Sequence, residues 1–373
     1  MPVALNALDI LEDELEKLKT NSSYREIKNV PEKCLNLSSN DYLGIAKDTA
    51  LVKTFLKDYN GALSSPSARL LGCDSAVFAT LERSLEKRLN KERALLFNSG
   101  YHANVGTYSA LLKSDDVVFC DRLCHASIID GIKLSGAKVI PFKHLNYEDL
   151  REKLQKYRRK YKKAVISTET LFSMDGDFAS LGQFVELKKE FDCLLFIDEA
   201  HTFGVYAKGA GYAVHKGLSD DIDLLMGTFG KAFGSYGAFC AGNSVLINYL
   251  INFARPFVFS TTLPPVSAAF SSFVLEQDTS ERAQKLFSLS KKVRQELDLP
   301  GESYIIPVVL GENELAVRVS ETLVKNGYYA PPVRYPTVSK NTARLRISLN
   351  ANMEYEMLKN LVSLLKNYKI RAL

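Results

Sequence analysis

The sequence has no long hydrophobic run. No apolar stretch approaches the ~20 residues that a transmembrane helix requires. The amino terminus also lacks a basic segment followed by an apolar core, which would mark a signal peptide. We therefore expect a protein that is neither membrane-spanning nor exported through such a leader, and a cytoplasmic location.

The sequence has no disulfide framework either. Its six cysteines are scattered, without paired spacings, so we expect reduced thiols. Cys120, Cys124 and His125 lie close together, but no second pair of ligands follows at the spacing of a zinc site. We therefore expect no structural zinc and no other bound metal.

The sequence also lacks a strong excess of charge of either sign. Lys and Arg number 48 against 43 Asp and Glu, a formal net charge of +5 over 373 residues. The densest basic run, 156–163, falls in a helical pattern and fits a solvated helix face better than a nucleic-acid patch. We expect no nucleic-acid partner.

Short apolar strands alternate with helical patterns through the middle of the chain. This alternation predicts an α/β fold whose mostly parallel, seven-stranded sheet is flanked by helices. In such sheets, ligands bind at the carboxyl ends of the strands. The predicted strands are 94–97, 117–120, 138–142, 164–168, 194–198, 224–228 and 238–241.

The length of the chain favours more than one domain. We expect an amino-terminal helical segment at 1–45, a large α/β domain at 46–245 and a smaller carboxyl-terminal α+β domain at 246–373. An amphipathic helix is predicted at 3–20, from Leu5, Leu8, Leu11 and Leu15 at helical spacing. The elements predicted after residue 245 are helices at 264–276, 280–297 and 353–365 and strands at 304–310 and 344–349.

One lysine stands in a glycine-rich stretch after the sixth predicted strand. Residues 226–237 hold Lys231 among four glycines, which let the backbone approach a bound group closely. Such a lysine is either a surface cation or a nucleophile presented to a ligand. The preceding strand ends in Asp198, with His201 just beyond it. Polar groups collected at this edge of the sheet favour the nucleophile.

Polar loops follow the other strands too. The Ser99–Gly100 turn opens a helix, where free N–H groups and the helix dipole suit an anion. His125 follows the second strand, and 169–177 follow the fourth. Taken singly, each feature is explained by a helix cap or by a loop residue whose hydrogen bonds are satisfied within the loop. Five successive polar loops at one sheet edge, however, predict a ligand site.

Two other motif interpretations fit less well. Asp-Glu-Ala-His at 198–201 is also the Walker B box of a helicase class, but that chemistry requires Gly-x-x-x-x-Gly-Lys-Ser/Thr. Here Ala232 follows Gly230-Lys231, and neither Gly-Lys-Ser nor Gly-Lys-Thr occurs in the sequence. A metal hydrolase using Asp198 and His201 lacks a third ligand of matching spacing.

A lysine that bonds to a pyridine-ring cofactor explains more residues together. Such a cofactor needs a carboxylate to keep the ring nitrogen protonated, a flat side chain to cover the ring and a cup for its phosphate. Asp198, His125 and the Ser99–Gly100 turn with Thr228 fit these needs in turn.

The sequence at this point resembles the pyridoxal-phosphate-dependent α-oxoamine synthases, over roughly residues 20–370. The resemblance implies fold type I, pyridoxal 5'-phosphate as cofactor, and condensation of an amino acid with an acyl thioester with release of CO₂. The family's motifs occur here in order: Ser-Ser-Asn-Asp-Tyr-Leu-Gly at 38–44, Ser-Gly-Tyr at 99–101, Asp-x-x-x-His-Ala-Ser at 121–127, Phe-Ser-Met-Asp-Gly-Asp at 172–177, Asp-Glu-Ala-His at 198–201, Gly-Thr-x-Gly-Lys-Ala at 227–232, Phe-Ser-Thr-x-x-Pro-Pro at 259–265 and Arg-Leu-Arg at 344–346.

The resemblance also implies roles for the cofactor-binding residues. Lys231 would bind the cofactor covalently and remove the α-proton of the amino acid. Asp198 would pair with the ring nitrogen, His125 would stack on the ring, and His201 would hydrogen-bond its phenolic oxygen. The implied phosphate cup is Ser99, Gly100, Tyr101 and Thr228, with Ser260 and Thr261 from the neighbouring subunit of a homodimer.

Substrate positions follow from the same resemblance. Arg346, with Asn40, would hold the amino-acid carboxylate, which a guanidinium fork suits better than a lysine does. Ser173 would contact the cofactor or the acyl carbonyl, and Thr337 the substrate. Arg25 is the candidate for an amino-terminal arginine that touches the substrate in the family.

Within the family, residues 230–238 look most like the member that joins L-alanine to a pimeloyl thioester in biotin biosynthesis, with coenzyme A or a carrier protein holding the acyl group. Glycine C-acetyltransferase and 5-aminolevulinate synthase are the alternatives. A non-catalytic module that keeps the fold is an alternative of another class, but Lys231, Asp198 and Arg346 are all intact. The sequence departs from the family in lacking the usual glycines at 64–69 and in carrying Phe229 where leucine is usual.

Overall fold

The computed structural model describes residues 6–20, 24–72 and 76–371, and short strands alternate with helices along the middle of the chain. The predicted strands of the middle of the chain are confirmed to within one residue at each end. The strands are β1 (Leu35–Asn36), β2 (Arg93–Phe97), β3 (Val117–Asp121), β4 (Lys138–Phe142), β5 (Ala164–Glu169), β6 (Leu194–Asp198), β7 (Leu224–Thr228), β8 (Ala238–Gly242), β9 (Ile305–Gly311), β10 (Tyr328–Tyr329), β11 (Pro332–Val333) and β12 (Ala343–Ser348).

Several helices begin at a side chain that caps the first turn. Asp48, Ser99 and Asn146 each accept a hydrogen bond from a backbone N–H of the helix that follows, which satisfies a donor that the helix itself cannot pair. The helices are α1 (Ala7–Thr20), α2 (Thr49–Asp58), α3 (Ala76–Leu89), α4 (Gly100–Leu111), α5 (Ala126–Ser135), α6 (Tyr147–Tyr157), α7 (Leu181–Phe191), α8 (Tyr212–His215), α9 (Ser244–Phe253), α10 (Arg255–Val258), α11 (Pro265–Leu275), α12 (Ser280–Leu297), α13 (Asn313–Lys325) and α14 (Tyr355–Lys366).

The large sheet has seven strands in the order β2-β8-β7-β6-β5-β3-β4. Six of its strands run in the same direction, while β8 runs antiparallel to its neighbours β2 and β7. The predicted α/β fold with a mostly parallel seven-stranded sheet is therefore confirmed. In the register of the sheet, Asp198 lies beside Glu169 on one side and Met226 on the other, so neighbouring strands deliver polar groups to one edge.

Both faces of this sheet are covered. Leu195 and Ile197 belong to the core on one face, and Phe196 between them belongs to the core on the other. This alternation follows from the two-residue period of a strand. Strands that are buried on both faces read as continuous apolar runs, which is why the sequence pattern located them well.

A second, antiparallel sheet carries two arginines. Its order is β11-β12-β9, and Arg344 and Arg346 lie on the central strand β12. The amino-terminal segment reaches this sheet, because the N–H of Ser348 donates to the carbonyl of Leu37 at 2.8 Å. The same segment then continues through Asn40 and Tyr42, which places both side chains near Arg346.

The predicted amphipathic helix is confirmed as α1 over the described residues from Ala7, while Leu5 lies outside them. No side chain of α1 is buried, and Leu8, Leu11 and Leu15 are exposed. The division of the chain at residues 45 and 245 stays a prediction. Helix α10 lies against the large sheet, with the ring centroids of Phe97 and Phe257 6.0 Å apart. Among the described residues, no helix combines the length and apolarity needed to cross a membrane.

Candidate active site

Lys231 lies in a tight loop between β7 and β8. The N–H of Phe229 donates to the carbonyl of Gly237 at 2.9 Å, and the N–H of Gly234 donates to the carbonyl of Lys231 at 2.9 Å. Gly234 has φ of +58°, and a Cβ there would lie 2.5 Å from the backbone nitrogen of Ala46. Glycine is therefore required at this position, and the loop holds Lys231 against the sheet edge.

The amine of Lys231 meets the imidazole of His201. Lys231 Nζ lies 2.8 Å from His201 Nε2. Burial lowers the pKa of Lys231 to about 8, with Arg346 adding to the shift and the carboxyl groups of Asp198 and Glu169 opposing it. A lysine with that pKa has a substantial neutral fraction near neutral pH, which a nucleophile or base requires.

His201 is buried and electrically neutral. Burial lowers its pKa well below the usual value, and the nearby cations Lys231 and Arg346 lower it further. Its Nδ1 lies 2.6 Å from the hydroxyl of Tyr42. The hydroxyl of Tyr304 donates to the backbone carbonyl of His201, so both ring and backbone are held in place.

Asp198 ends β6 as a buried carboxylate with two hydrogen bonds. Its Oδ1 accepts from the N–H of Ala200 at 2.8 Å, and its Oδ2 accepts from Asn104 Nδ2 at 2.9 Å. Asn104 also donates to Ser127 Oγ at 3.0 Å. Asp198 is therefore fixed by the loop that follows β6 and by Asn104 of α4, near the lysine.

His125 precedes α5, and its residue surface is exposed while its imidazole is partly enclosed where it meets Ser127. Its Nδ1 accepts from the N–H of Ser127 at 3.3 Å and lies 2.7 Å from the hydroxyl of that serine. Because Nδ1 is an acceptor, the neutral ring carries its proton on Nε2. Burial lowers the pKa of His125 and Lys231 lowers it further, against the opposing effect of Asp198. A flat, neutral ring is thus presented beside the lysine.

Glu169 binds the backbone of His125. Its Oε1 accepts the backbone N–H of His125 at 2.6 Å. Burial raises the pKa of Glu169 well above its usual value, and the neighbouring Asp198 raises it further. The two carboxyl groups lie side by side on adjacent strands, so the one that is more deeply buried favours its protonated form.

The residues of the predicted phosphate cup lie around the first turn of α4. Gly100 opens the helix, and a Cβ built on it would lie 3.9 Å from the Cβ of Thr228. The hydroxyl of Thr228 donates to the carbonyl of Gly237 at 2.9 Å. Ser99 caps the helix. The exposed Tyr101 donates to Asp130 Oδ2 at 2.5 Å, so its hydroxyl is directed at α5.

Ser260 and Thr261 lie in the segment between α10 and α11. Thr261 is exposed and Ser260 is half-buried. The carbonyl of Thr261 accepts from Asn98 Nδ2 at 2.8 Å, which ties this segment to the loop that carries Ser99. Their contribution to a second subunit's site stays a prediction.

Arg346 is buried and makes four hydrogen bonds. Its Nε donates to the carbonyl of Ser173, and its Nη1 donates to Ser348 Oγ at 2.6 Å. Its Nη2 donates to Asn40 Oδ1 at 2.9 Å and to the hydroxyl of Tyr42 at 3.1 Å. The guanidinium is therefore held in one orientation by three separate segments of the chain.

Ser173 and Thr337 line one cavity, and Arg25 is bonded to Thr337. Ser173 and Thr337 line a cavity of about 480 Å³ that extends past Phe172, Leu299 and Pro307. Arg25 Nη2 donates to Thr337 Oγ1 at 3.2 Å, which brings residues from opposite ends of the chain together. Ser173, whose carbonyl accepts from Arg346, is the lining residue that connects the cavity to the arginine.

These residues fit pyridoxal phosphate as a bound group. The chain supplies a lysine with a lowered pKa, a buried carboxylate, an exposed neutral imidazole and a helix amino terminus, which match the amine, ring nitrogen, ring face and phosphate of that cofactor. All of them lie at the carboxyl ends of β2, β3, β6 and β7.

The family of the chain follows from a family model, that of aminotransferase class I and II, which matches residues 32–365. The chain belongs to that family. A curated relative from Glaesserella parasuis, provisionally assigned as 8-amino-7-oxononanoate synthase, is 45% identical over 89% of this chain and 90% of its own. This chain is accordingly an enzyme of the pyridoxal-phosphate-dependent transferase class.

Two solved structures share the fold. Serine palmitoyltransferase from Sphingomonas wittichii has a TM-score of 0.86 and is 26% identical, over 98% of each chain. An 8-amino-7-oxononanoate synthase from Francisella tularensis has a TM-score of 0.74 and is 27% identical, over 90% of this chain and 98% of its own. The fold-type-I architecture implied by the sequence is thereby confirmed.

Three residues of this site received no role from the sequence. Tyr42, Asn104 and Glu169 contact His201, Asp198 and His125 respectively. Tyr42 and Glu169 lie inside the segments 38–44 and 169–177 that were singled out, so position gave a signal for these two, whereas Asn104 lies outside any such segment. Their contacts join segments far apart in the chain, which a single sequence does not reveal.

Proposed function

We propose that this enzyme is an 8-amino-7-oxononanoate synthase, which condenses L-alanine with a pimeloyl thioester and releases CO₂ and the free thiol. The observation that carries the proposal is that hydrogen bonds through His201 and Tyr42 connect Lys231 to Arg346. A base and a cation that can bind a carboxylate are therefore close enough to act on the same amino acid. The relative at 45% identity supports the choice of substrates.

Pyridoxal phosphate, when bound, supplies a ring that accepts the electrons of a breaking C–H or C–C bond. Lys231 would hold it, and Asp198 would pair with the ring nitrogen. His125 would cover the ring, and His201 would bind its phenolic oxygen. Ser99, Gly100, Tyr101 and Thr228 would hold the phosphate.

Lys231 acts as the base for the α-proton of L-alanine. Its pKa of about 8 lies close to physiological pH, where proton transfer by a general base is most efficient. Arg346 and Asn40 hold the carboxylate of the alanine, and this fixes which bond of the α-carbon faces Lys231.

The acyl thioester occupies the cavity lined by Ser173 and Thr337. A cavity of about 480 Å³ has the size of a small-molecule site, and its apolar wall at Phe172, Leu299 and Pro307 suits a methylene chain. Arg25 contacts the acyl substrate from the rim. Coenzyme A and a carrier protein both suit the modest positive charge of the chain.

The assembly is a homodimer in which Ser260 and Thr261 of each chain complete the partner's phosphate cup, and it works in the cytoplasm. An active monomer at high dilution, measured by sedimentation at the assay concentration, would contradict this arrangement.

The test is product analysis by mass spectrometry. The protein is incubated with pyridoxal phosphate, L-alanine and pimeloyl-CoA, with Lys231→Ala as the control, and we expect 8-amino-7-oxononanoate from the unaltered chain alone. Parallel reactions replace alanine with glycine or serine, and the pimeloyl group with acetyl, succinyl or palmitoyl groups. A higher rate with glycine and acetyl-CoA, glycine and succinyl-CoA, or serine and palmitoyl-CoA would overturn the proposed substrates.

A further inference from the structure

The cavity of about 480 Å³ has cations in its wall as well as apolar side chains. An uncharged acyl chain cannot compensate a cation that is buried beside it, so such a cation needs a partner in the protein or in the ligand. The cations that line the cavity are Arg122, His144, Arg294 and Arg344.

Two of these four cations have carboxylate partners in the chain. His144 lies between Asp121 and Asp177, with an N···O distance of 2.9 Å to each. Arg344 forms an ion pair with Asp175. The carboxylates Asp175 and Asp177, which also line the cavity, are therefore already paired with cations of the wall.

Arg294 differs from the other cations of the cavity. Arg122 is exposed, so water screens its charge, whereas Arg294 is only 4% exposed. Among the residues that the structure describes, no carboxylate lies within ion-pair distance of Arg294. Burial lowers the pKa of Arg294 to about 10, and no carboxyl group opposes that shift. Arg294 is therefore still charged at neutral pH, but its counter-charge is missing.

The hydrogen bonds of Arg294 leave one donor over. Its Nε donates to the carbonyl of Ser303 at 2.9 Å, and its Nη1 donates to the carbonyl of Pro300. Its Nη2 donates to the carbonyl of Ile305 at 2.7 Å and to Ser303 Oγ at 3.3 Å. A guanidinium has five N–H groups, so one N–H of Nη1 has no acceptor among the described residues.

We propose that Arg294 is a specificity-determining residue that binds the free carboxylate at the far end of a dicarboxylic acyl thioester. The inference rests on the proposed function, because it takes this cavity as the acyl site. A carboxylate supplies an acceptor for the remaining N–H and the missing counter-charge together. An ester or a methyl group at the end of the acyl chain supplies no charge and leaves Arg294 uncompensated.

The sheet places Arg294 at a suitable distance from the amino-acid end of the site. Arg346 pairs across the second sheet with Pro307, which lines the cavity. The carbonyl of Ile305, which accepts from Arg294, lies two residues along the same strand, about 7 Å at the rise of an extended strand. A pimeloyl chain is long enough to span such a distance.

The first test compares two thioesters that differ only in the charge at the far end. The unaltered holoenzyme is assayed with L-alanine and either pimeloyl-CoA or its ω-methyl ester. We expect kcat/KM to be roughly 10- to 100-fold higher for pimeloyl-CoA, the size of one hydrogen bond between charged groups. The difference should lie in KM, because the carboxylate is remote from the reacting carbon. Equal values for the two thioesters would overturn the proposal.

The second test separates the charge of Arg294 from its bonds to the loop. Arg294→Lys and Arg294→Met both lose the guanidinium fork that binds the carbonyls of 300, 303 and 305, but only lysine keeps the charge. We expect Arg294→Lys to keep most of the preference for pimeloyl-CoA and Arg294→Met to lose it. Equal loss in both variants would show a structural role only and overturn the proposal. If thermal melting shows that Arg294→Met does not fold, loss of the preference in Arg294→Lys alone overturns it.

Arg122→Gln is the matched control, since it removes a cation of the same cavity that is exposed to water. We expect it to change the preference by no more than about threefold. A larger loss than in Arg294→Met would assign the carboxylate to Arg122 and overturn the proposal.

The outcomes also distinguish this inference from the proposed function. If glycine or serine condenses and alanine does not, while the preference for the free carboxylate remains, the proposed amino acid is wrong and the role of Arg294 stands. If alanine condenses equally well with both thioesters, Arg294 alone loses its role. Calorimetric titration of the holoenzyme with each thioester, without an amino acid, gives the ratio of the two dissociation constants independently of turnover.

Discussion

Two histidines near the same sheet edge differ in charge, because one is neutral and the other is a cation. His201 lies among Lys231, Arg346 and Tyr42, and its pKa is well below the usual value. His144 lies between two carboxylates, with Nδ1 2.9 Å from Asp121 Oδ1 and Nε2 2.9 Å from Asp177 Oδ2. Burial lowers the pKa of His144, but its bonds to Asp121 and Asp177 outweigh that effect and raise it to about 9.

The comparison shows that the partners, rather than burial alone, set the charge of each ring. Carboxylates on both nitrogens of His144 stabilise the imidazolium, which fastens the end of β3 to the loop that carries Phe172 and Ser173. The rings of His144 and Phe172 meet edge to face with centroids 4.4 Å apart. His201 faces cations and a phenol, so it remains neutral. One histidine holds a loop in place, and the other lies uncharged beside Lys231.

The largest expected effect comes from removing the cation beside His201. Lys231→Ala should lower the rate of product formation by about 10³-fold or more, since a general base typically contributes 10²–10⁴-fold, and should raise the pKa of His201 toward its ordinary value. The measurements are product formation and an NMR titration. Activity within tenfold of the unaltered enzyme would remove Lys231 from its role.

The next effect comes from removing the buried carboxylate beside His144. The side chain of Asp121 is fully buried, while that of Asp177 is 41% exposed. Asp121→Asn should therefore cost about 3 kcal/mol in the free energy of unfolding, as expected when a buried pair is broken. Asp177→Asn is the matched control and should cost under ~1 kcal/mol. Urea unfolding measures both, and the reverse order would contradict this picture of His144.

The smallest effect is a change in how stability depends on pH. The pKa of His144 is about 9 in the folded chain and about 6.5 in the unfolded chain. Because the folded value is raised, its stabilisation is complete below about pH 6.5 and is lost as the pH rises through about 9. His144→Gln should flatten the fall in unfolding free energy between those values. An unchanged slope would show that His144 is not a cation.

Much of the fold could be predicted because buried strands and capped helices leave local patterns. The strand that ends at Asp198 and the glycine stretch around Lys231 are both readable from neighbouring residues. The short parallel pair of β1 and β10, which joins Leu35–Asn36 to Tyr328–Tyr329, was not predicted. A two-residue strand has no periodicity, and its partner lies far along the chain.

The site could be predicted as a set of residues but not as a network. The motifs brought Lys231, Asp198, His201 and Arg346 to attention, and the structure places Lys231 and His201 in direct contact and links His201 to Arg346 through Tyr42. The contacts of Tyr42 could not be predicted, because they join segments that only the tertiary fold brings together. The charge of His144 likewise depends on Asp121 and Asp177 from two different strand ends.

The most direct test of the central claim is the visible absorption spectrum of the protein with pyridoxal phosphate, followed during titration with L-alanine. We expect a yellow band from cofactor bound at Lys231, absent from Lys231→Ala, that changes saturably with L-alanine and little with glycine. A protein that stays colourless with added cofactor, or a band unaffected by Lys231→Ala, would contradict the assignment of Lys231 and of the site built around it.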